Sequence, residues 1–283
     1  MQIRLPVPED FSFIETVTAH GWRRLPPFLW RDDTQTLERT EEMPDGSVVV
    51  LRLQGQDTTL LIAVEGDADE AKITRRVRRL LQIDLPLDEF HAYCRERPEL
   101  ASLAECRQGR MLRCPTLWED VVKVIATTNT TWAQTIAMSG RLVAEFGAQG
   151  LAFPTPQHIA AVSFEEFAAR ARLGYRSAYV YQIADDIAAG RLNLEAWQER
   201  DLTATELRKL LLSLPGIGPY GAACQMLYLG RPEHVNSDSV ARALLSQERG
   251  QAVTDKDVHA FFEGHGQWRG LIYNFYPWRK DAL

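Results

Sequence analysis

Cysteine is scarce in this sequence and long apolar runs are absent. Cys94, Cys106, Cys114 and Cys224 stand 12, 8 and 110 residues apart, so no C-x-x-C pair exists. That spacing fits neither a zinc knuckle nor a compact iron–sulfur ligand set, and it predicts buried cytosolic thiols. The histidines are scattered, with His259 and His265 too widely spaced for one helical face, so no metal site is expected. Nothing approaches the run of about eighteen apolar residues that a membrane span needs. The opening MQIRLPVPEDF lacks the charged-then-apolar pattern of a secretion signal, and a cytoplasmic protein without membrane contact is expected. Positive charge is also short, with 32 Lys+Arg against 38 Asp+Glu and a net charge of −6. The deficit is local. Residues 1–100 carry 13 basic and 19 acidic side chains, and residues 101–283 carry 19 of each, so a basic groove remains open to the second part.

What is present is ordinary globular material: 283 residues, 45% hydrophobic and 25% charged. Such a chain makes one large domain or two modest ones and buries a core without disulfide or metal staples. The first hundred residues read as mixed α/β. Ser47–Gly66 is β-branched and apolar on both sides of a Gly-Gln-Asp turn, which predicts a hairpin. Asp67–Leu85 follows as a helix, with Ile73, Val77, Leu80 and Leu81 on one face. Its Arg75, Arg76, Arg78 and Arg79 make a solvated face that balances local acid. From Pro115 onward the pattern is helix after helix. Thr116–Glu119, Ser163–Glu166 and Thr203–Glu206 each read as a capping box, and Trp118, Val121, Val122 and Ile125 form a stripe. The fold class is therefore α+β and mainly helical. A small antiparallel-sheet unit (1–114) packs on a helical unit (115–283), with no internal repeat or long linker.

The most informative stretch is Leu214-Pro-Gly-Ile-Gly-Pro-Tyr-Gly221. Gly216, Gly218 and Gly221 match G-x-G-x-x-G, and Asp238 follows about twenty residues on, as a dinucleotide site requires. That reading needs a strand leading into the glycines. What leads in is TATELRKLLLSL, where Leu207, Leu210, Leu211 and Leu214 sit at helical spacing. Tyr220, Ala223, Cys224 and Leu227 repeat that spacing afterwards. The unit is helix, tight glycine hairpin, helix. Its glycines permit close backbone approach, and the second helix offers unpaired N–H groups at its positive end, which suits a phosphate without many lysines. A plain helix corner has the same appearance.

Soon after Gly221 comes Val235–Arg242, a polar turn running into a helix, with Asp238 seventeen residues beyond Gly221. Here the chain resembles the helix-hairpin-helix (HhH-GPD) DNA glycosylase superfamily. LPGIG at 214–218 matches the family hairpin, and Asp238 falls where the family places its catalytic carboxylate. FPTPQ (153–157) with LGYRSAYV (173–180) is similar to 8-oxoguanine DNA glycosylase. FPTPQ with GQWRGLIYNFYPW (266–278) is similar to AlkA-type 3-methyladenine DNA glycosylases. The resemblance covers roughly residues 100–283 and implies base excision from double-stranded DNA containing damaged bases, by a monomer. It assigns phosphate binding to Leu214, Gly216, Ile217, Gly218, Tyr220 and Gly221. Tyr220, Cys224, Asn129, Arg269 and Tyr273 become candidates for the base pocket or the gap left by the flipped base.

Departures from the family carry as much as the matches. Bifunctional members have a Schiff-base lysine two residues after the second hairpin glycine, where this chain has Tyr220. A phenol cannot form an imine, so a monofunctional hydrolase without lyase activity is expected. The position that reads the opposite cytosine in the 8-oxoguanine enzyme is Gln134 here, and its base-reading amide is Arg269. An aromatic cleft drawn from Tyr220, Tyr273, Tyr276 and Trp278 would favour alkylated purines over 8-oxoguanine. With no cysteine after Cys224, the iron–sulfur cofactor of one family branch is excluded. A monovalent cation at the hairpin is the only ion the resemblance allows. Asp238 stands before a helix, where backbone N–H groups favour its ionised form. Taken alone it is an ordinary N-cap. The competing readings are an oxidised-purine glycosylase without lyase activity, a non-catalytic DNA-binding module, and the nucleotide-binding oxidoreductase of the G-x-G-x-x-G match.

Overall fold

A computed structural model describes residues 1–235 and 237–276. The N-terminal part is a five-stranded antiparallel sheet in the order β1-β5-β4-β3-β2. Its strands are β1 (Gln2–Pro6), β2 (Phe28–Arg31), β3 (Thr36–Glu42), β4 (Val48–Gln56) and β5 (Thr59–Glu65). The expected hairpin is β4–β5, paired from Val50 opposite Glu65 to Gln56 opposite Thr59, so the strands run through Gly55-Gln56 and turn at Asp57. The expected helix after it spans Glu70–Leu80, with Ile73, Val77 and Leu80 buried. Its arginines meet carboxylates: Arg76 pairs with Glu41, Arg78 with Asp84 and Arg79 with Glu195.

The rest is helical, and one hydrophobic core runs through both parts from Ile3 to Phe275. No described helix is long and apolar enough to cross a membrane. The central helix, Leu117–Thr127, departs from the expected stripe. Every residue from Leu117 to Ala126 is buried, so it is a core helix covered on all sides. Its capping box is half made. Thr116 Oγ1 accepts the Glu119 N–H at 3.2 Å, but the Glu119 carboxylate turns inward to Arg39 of β3 and to Lys123. Ser163 likewise caps Glu166 N–H without a return bond, Glu166 pairing with Arg170 instead. The Thr203–Glu206 box is complete and opens the helix Ala204–Leu212.

Arg39 binds Glu119 through two guanidinium nitrogens at 3.0 and 2.6 Å and also Glu41 at 3.0 Å. Lys123 Nζ reaches Glu119 at 2.7 Å and the Leu25 carbonyl at 3.3 Å. Burial opposes ionisation of Glu119, yet Arg39 and Lys123 outweigh it and hold the carboxyl down at about 2. The depressed value means the network's contribution is whole above pH 4.5, the usual carboxyl value, and is lost as pH falls towards 2. Glu119→Gln leaves the buried Lys123 without a carboxylate partner among the described residues and leaves Arg39 with Glu41 alone. The expected cost is about 3–5 kcal/mol at neutral pH, read as a drop in Tm by calorimetry. A variant melting with the wild type would show the network to be dispensable.

Candidate DNA-lesion cleft

A cleft of about 880 Å³ opens where the glycine hairpin, the start of the next helix and the N-terminal sheet unit meet. It combines the hairpin (Gly216, Gly218–Gly221, Cys224, Tyr228), the turn Ser237–Val240 with Arg242, the loop Thr127–Thr130, Trp132, and His20–Trp22 from the sheet unit.

The hairpin is built as expected. A helix, Ala204–Leu212, leads in and Pro219–Tyr228 leads out, so no strand precedes the glycines and the dinucleotide reading fails. Gly216 has φ +81, and a Cβ there would stand 2.6 Å from the Tyr179 ring, so both backbone and space demand glycine. Gly218 caps the second helix and Pro219 takes its first position, where the missing N–H costs nothing. The N–H groups of Gly218, Tyr220 and Gly221 belong to the first turn, which has no intrahelical acceptors. Leu214 and Ile217 are 5% exposed and do not line the cleft. They anchor the hairpin in the core rather than meeting phosphate themselves.

Asp238 faces the same cleft as the N-cap of the helix Ser239–Arg249, its Oδ1 accepting the Ala241 N–H at 2.8 Å. Its own backbone N–H donates to the Tyr273 hydroxyl at 3.1 Å. Tyr273 is fully buried, packs edge-on against Phe262 at 5.3 Å and does not line the cleft. This corrects its assignment to the base pocket: the residue sits behind the carboxylate and fixes the backbone that carries it. Beside it, Asp255 accepts from Ser237 Oγ at 2.6 Å and from Arg242, tying the turn to the next helix. Those two bonds hold the Asp255 carboxyl below its usual range, the Ser237 bond acting more strongly than burial opposes.

Cys224 and Tyr220 both line the cleft, one buried at 3% exposure and the other 36% exposed. The Cys224 sulfur, burial of the hydroxyl end and the nearby Asp238 carboxylate push the Tyr220 phenol well above its usual value of 10. It is a neutral hydroxyl at physiological pH. Asn129 stands exposed at the mouth in a left-handed conformation, φ +47, with its amide 3.4 Å from the Tyr175 hydroxyl. Arg176 donates to the Thr128 and Asn129 carbonyls, so the Gly-Tyr-Arg segment (174–176) shapes this loop.

Two further expectations are corrected. Arg269 is absent from the cleft lining, because its guanidinium turns back to the Glu233 carbonyl and pins the C-terminal helix Arg269–Phe275. Tyr276 packs on Phe261 and Phe262 instead of the cleft, and Trp278 lies outside the described residues. Gln134 closes a capping box with Thr131, its Oε1 also accepting from Thr130 Oγ1 at 2.7 Å.

Residues that the sequence did not advertise complete the cleft. Trp22 lies 4.5 Å from the Tyr228 ring, and His20 stacks on the same ring at 5.3 Å. Burial lowers the His20 pKa to about 4, so the ring is neutral. Its Nε2–H donates to the Leu112 carbonyl at 2.7 Å, leaving Nδ1 to accept from Trp22 N–H at 3.4 Å. Gly21 exists for a similar reason to Gly216: a Cβ there would fall 2.4 Å from the Trp132 indole. Asn274, buried at 8% exposure, supplies an amide to the wall. No spacing rule marks a turn such as His20–Trp22. Asn274 sits one residue beyond the position the motif suggested. Among the described residues no group of three or more His, Cys, Asp or Glu could hold a metal ion.

The Tyr273 contact is directly testable. Tyr273→Phe keeps the ring packing and removes the acceptor of the Asp238 N–H, an unpaired donor worth about 1–3 kcal/mol. The expected outcome is base release slowed roughly tenfold in single turnover, with DNA affinity unchanged. A variant with wild-type single-turnover rates would leave the hydroxyl without a positioning role.

Comparison with known proteins places this geometry. The 3-methyladenine DNA glycosylase of Archaeoglobus fulgidus superposes with a TM-score of 0.75 at 17% identity, over 98% of this chain and 98% of that one. The 8-oxoguanine glycosylase/lyase of Clostridium acetobutylicum, bound to double-stranded DNA with cytosine opposite 8-oxoguanine, gives 0.73 at 19% identity over 100% and 99%. Among curated proteins none matches. At such identities the superpositions establish the fold alone. The sequence profile described as HhH-GPD superfamily base excision DNA repair protein matches residues 122–270, which include the second half of the central helix, the hairpin and Asp238. More than half of the chain is thus covered, and the protein belongs to the HhH-GPD superfamily of base excision DNA repair glycosylases.

Proposed function

We propose that the protein is a monofunctional DNA glycosylase that hydrolyses the N-glycosidic bond of an alkylated purine flipped from the duplex. The observation that carries this reading is the shared cleft. Asp238 and the amide-bearing hairpin open onto one space walled by aromatic rings. Phosphate bound at the first turn of Pro219–Tyr228 would hold the backbone, and the extruded base would enter beside Tyr220 and Trp22. Bond cleavage develops positive charge on the sugar. A carboxylate held by its own backbone stabilises that charge and orients the attacking water. Tyr220 stands where a nucleophilic lysine would be needed for lyase chemistry, and a neutral phenol forms no imine.

Alkylated purines are the favoured class because ring alkylation makes the base electron-poor or cationic, and stacking on the exposed ring of Tyr220 gains from that. The 8-oxoguanine reading keeps a place as the second one, since the Arg176-held loop presents Asn129 at the mouth of the cleft. Double-stranded DNA is the partner in either case, and the relative from Clostridium acetobutylicum was solved with it.

In duplexes each carrying one lesion, the wild type is expected to release 3-methyladenine in preference to 8-oxoguanine. Asp238→Asn should release neither, losing activity by about a hundredfold or more, while DNA binding persists or tightens because a negative charge has left a phosphate-facing site. Near wild-type excision by that variant would remove Asp238 from the mechanism. Efficient release of 8-oxoguanine with alkylated bases untouched would reverse the substrate assignment.

The product is expected to be an intact abasic site, with strand scission only after alkali, heat or an abasic-site endonuclease. Borohydride present during turnover should trap no protein–DNA adduct. A trapped wild-type adduct would establish an amine nucleophile elsewhere in the chain.

A further inference from the structure

Polar groups around the cleft are mostly engaged with one another. The Tyr220 hydroxyl is bonded to Cys224, both His20 nitrogens have partners, and Asp238 Oδ1 is held by Ala241 N–H. Asn274 differs. It lines the cleft from the C-terminal helix, is 8% exposed, and its Nδ2 has no hydrogen-bond partner among the described residues. Neither end of its amide is bonded to a described side chain or backbone group. A buried amide without partners costs stability, so a native cleft that keeps one gains when a ligand supplies the missing acceptor.

We propose that Asn274 is a specificity-determining residue that reads the edge of the flipped base and selects adenine alkylated at N3 over guanine alkylated at N7. The assignment rests on the glycosylase reading above and deepens it to a substrate class. An asparagine amide carries a donor and an acceptor side by side. Adenine answers with the N7 acceptor and the N6 amino donor, and alkylation at N3 leaves that edge untouched. Guanine presents two acceptors, O6 and N7, which satisfy the Nδ2 donor but leave Oδ1 facing a lone pair. Methylation at N7 removes one of those acceptors and puts a methyl group in the path of the amide. Discrimination follows because the mismatch is desolvated: a site built to pair both ends rejects a base that pairs only one.

Duplex DNA treated with dimethyl sulfate carries 3-methyladenine and 7-methylguanine together, and both free bases can be quantified from one reaction by chromatography. The wild type should release 3-methyladenine faster. Asn274→Leu, which keeps the branched outline of asparagine with methyl groups in place of the amide, should slow 3-methyladenine release about tenfold and change 7-methylguanine release by less than about twofold. Affinity for a duplex with a tetrahydrofuran abasic analogue, which has no base to read, should stay at the wild-type value. Asn274→Ser, smaller and still polar, is the second variant if leucine is not accommodated, and it should narrow the same ratio. An unchanged ratio in folded variants, an equal loss on both bases, or weakened binding to the abasic analogue overturns the assignment while the glycosylase reading stands. Release of neither base by the wild type overturns both.

Discussion

Everything at the cleft depends on the buried contact between Arg39 and Glu119. One partner comes from β3 of the sheet, the other from the first turn of a helix covered on all sides, and Lys123 carries the charge on to the Leu25 carbonyl. Desolvating three charges is costly, and the fork geometry of Arg39 against both Glu119 oxygens is what makes the arrangement tolerable. An apolar contact could slide by an ångström with little penalty. This one cannot, so the sheet unit meets the helices in a single register. That register brings His20 and Trp22 against Tyr228 and sets Gly21 under the Trp132 indole.

The cleft separates its tasks by electrostatics. Its aromatic wall is neutral, because burial keeps His20 uncharged and Tyr220 protonated. Asp238 therefore faces the cleft without a charged neighbour among its aromatic groups, while Arg242 is occupied by Asp255. Positioning is delegated to groups that do not touch the ligand space. Tyr273 holds the Asp238 backbone from behind, and Arg176 holds the loop that presents Asn129.

The hairpin was legible in the sequence because its physics is local. Leucines at helical spacing, Pro-Gly punctuation and a second periodic run require no knowledge of tertiary structure. Asp238 was legible for the same reason, as a polar N-cap at a fixed distance. β3 was not. Its alternation is present in Leu37, Arg39 and Glu41, but two of those three inward positions are charged, so TLERTEE lacks the apolar signature of a strand. The aromatic-rich C-terminal segment shows another limit. Tyr273 and Asn274 are adjacent on one helix, and a motif match cannot tell which side chain turns inward to the core and which reaches the cleft. Arg269 failed likewise, since a backbone carbonyl thirty-six residues earlier claims its guanidinium.

What the hairpin at Gly218–Gly221 offers an anion is peptide N–H groups at a helix start and not ammonium or guanidinium groups. A contact of that kind neutralises phosphate with fixed dipoles, so docking releases few condensed counterions from the duplex. Together with a chain whose net charge is −6, such a contact would keep non-specific adhesion to DNA weak and only shallowly dependent on ionic strength. A glycosylase held on DNA this way would survey it by frequent dissociation and rebinding more than by long one-dimensional slides, its dwell time governed by whether a base comes out of the stack.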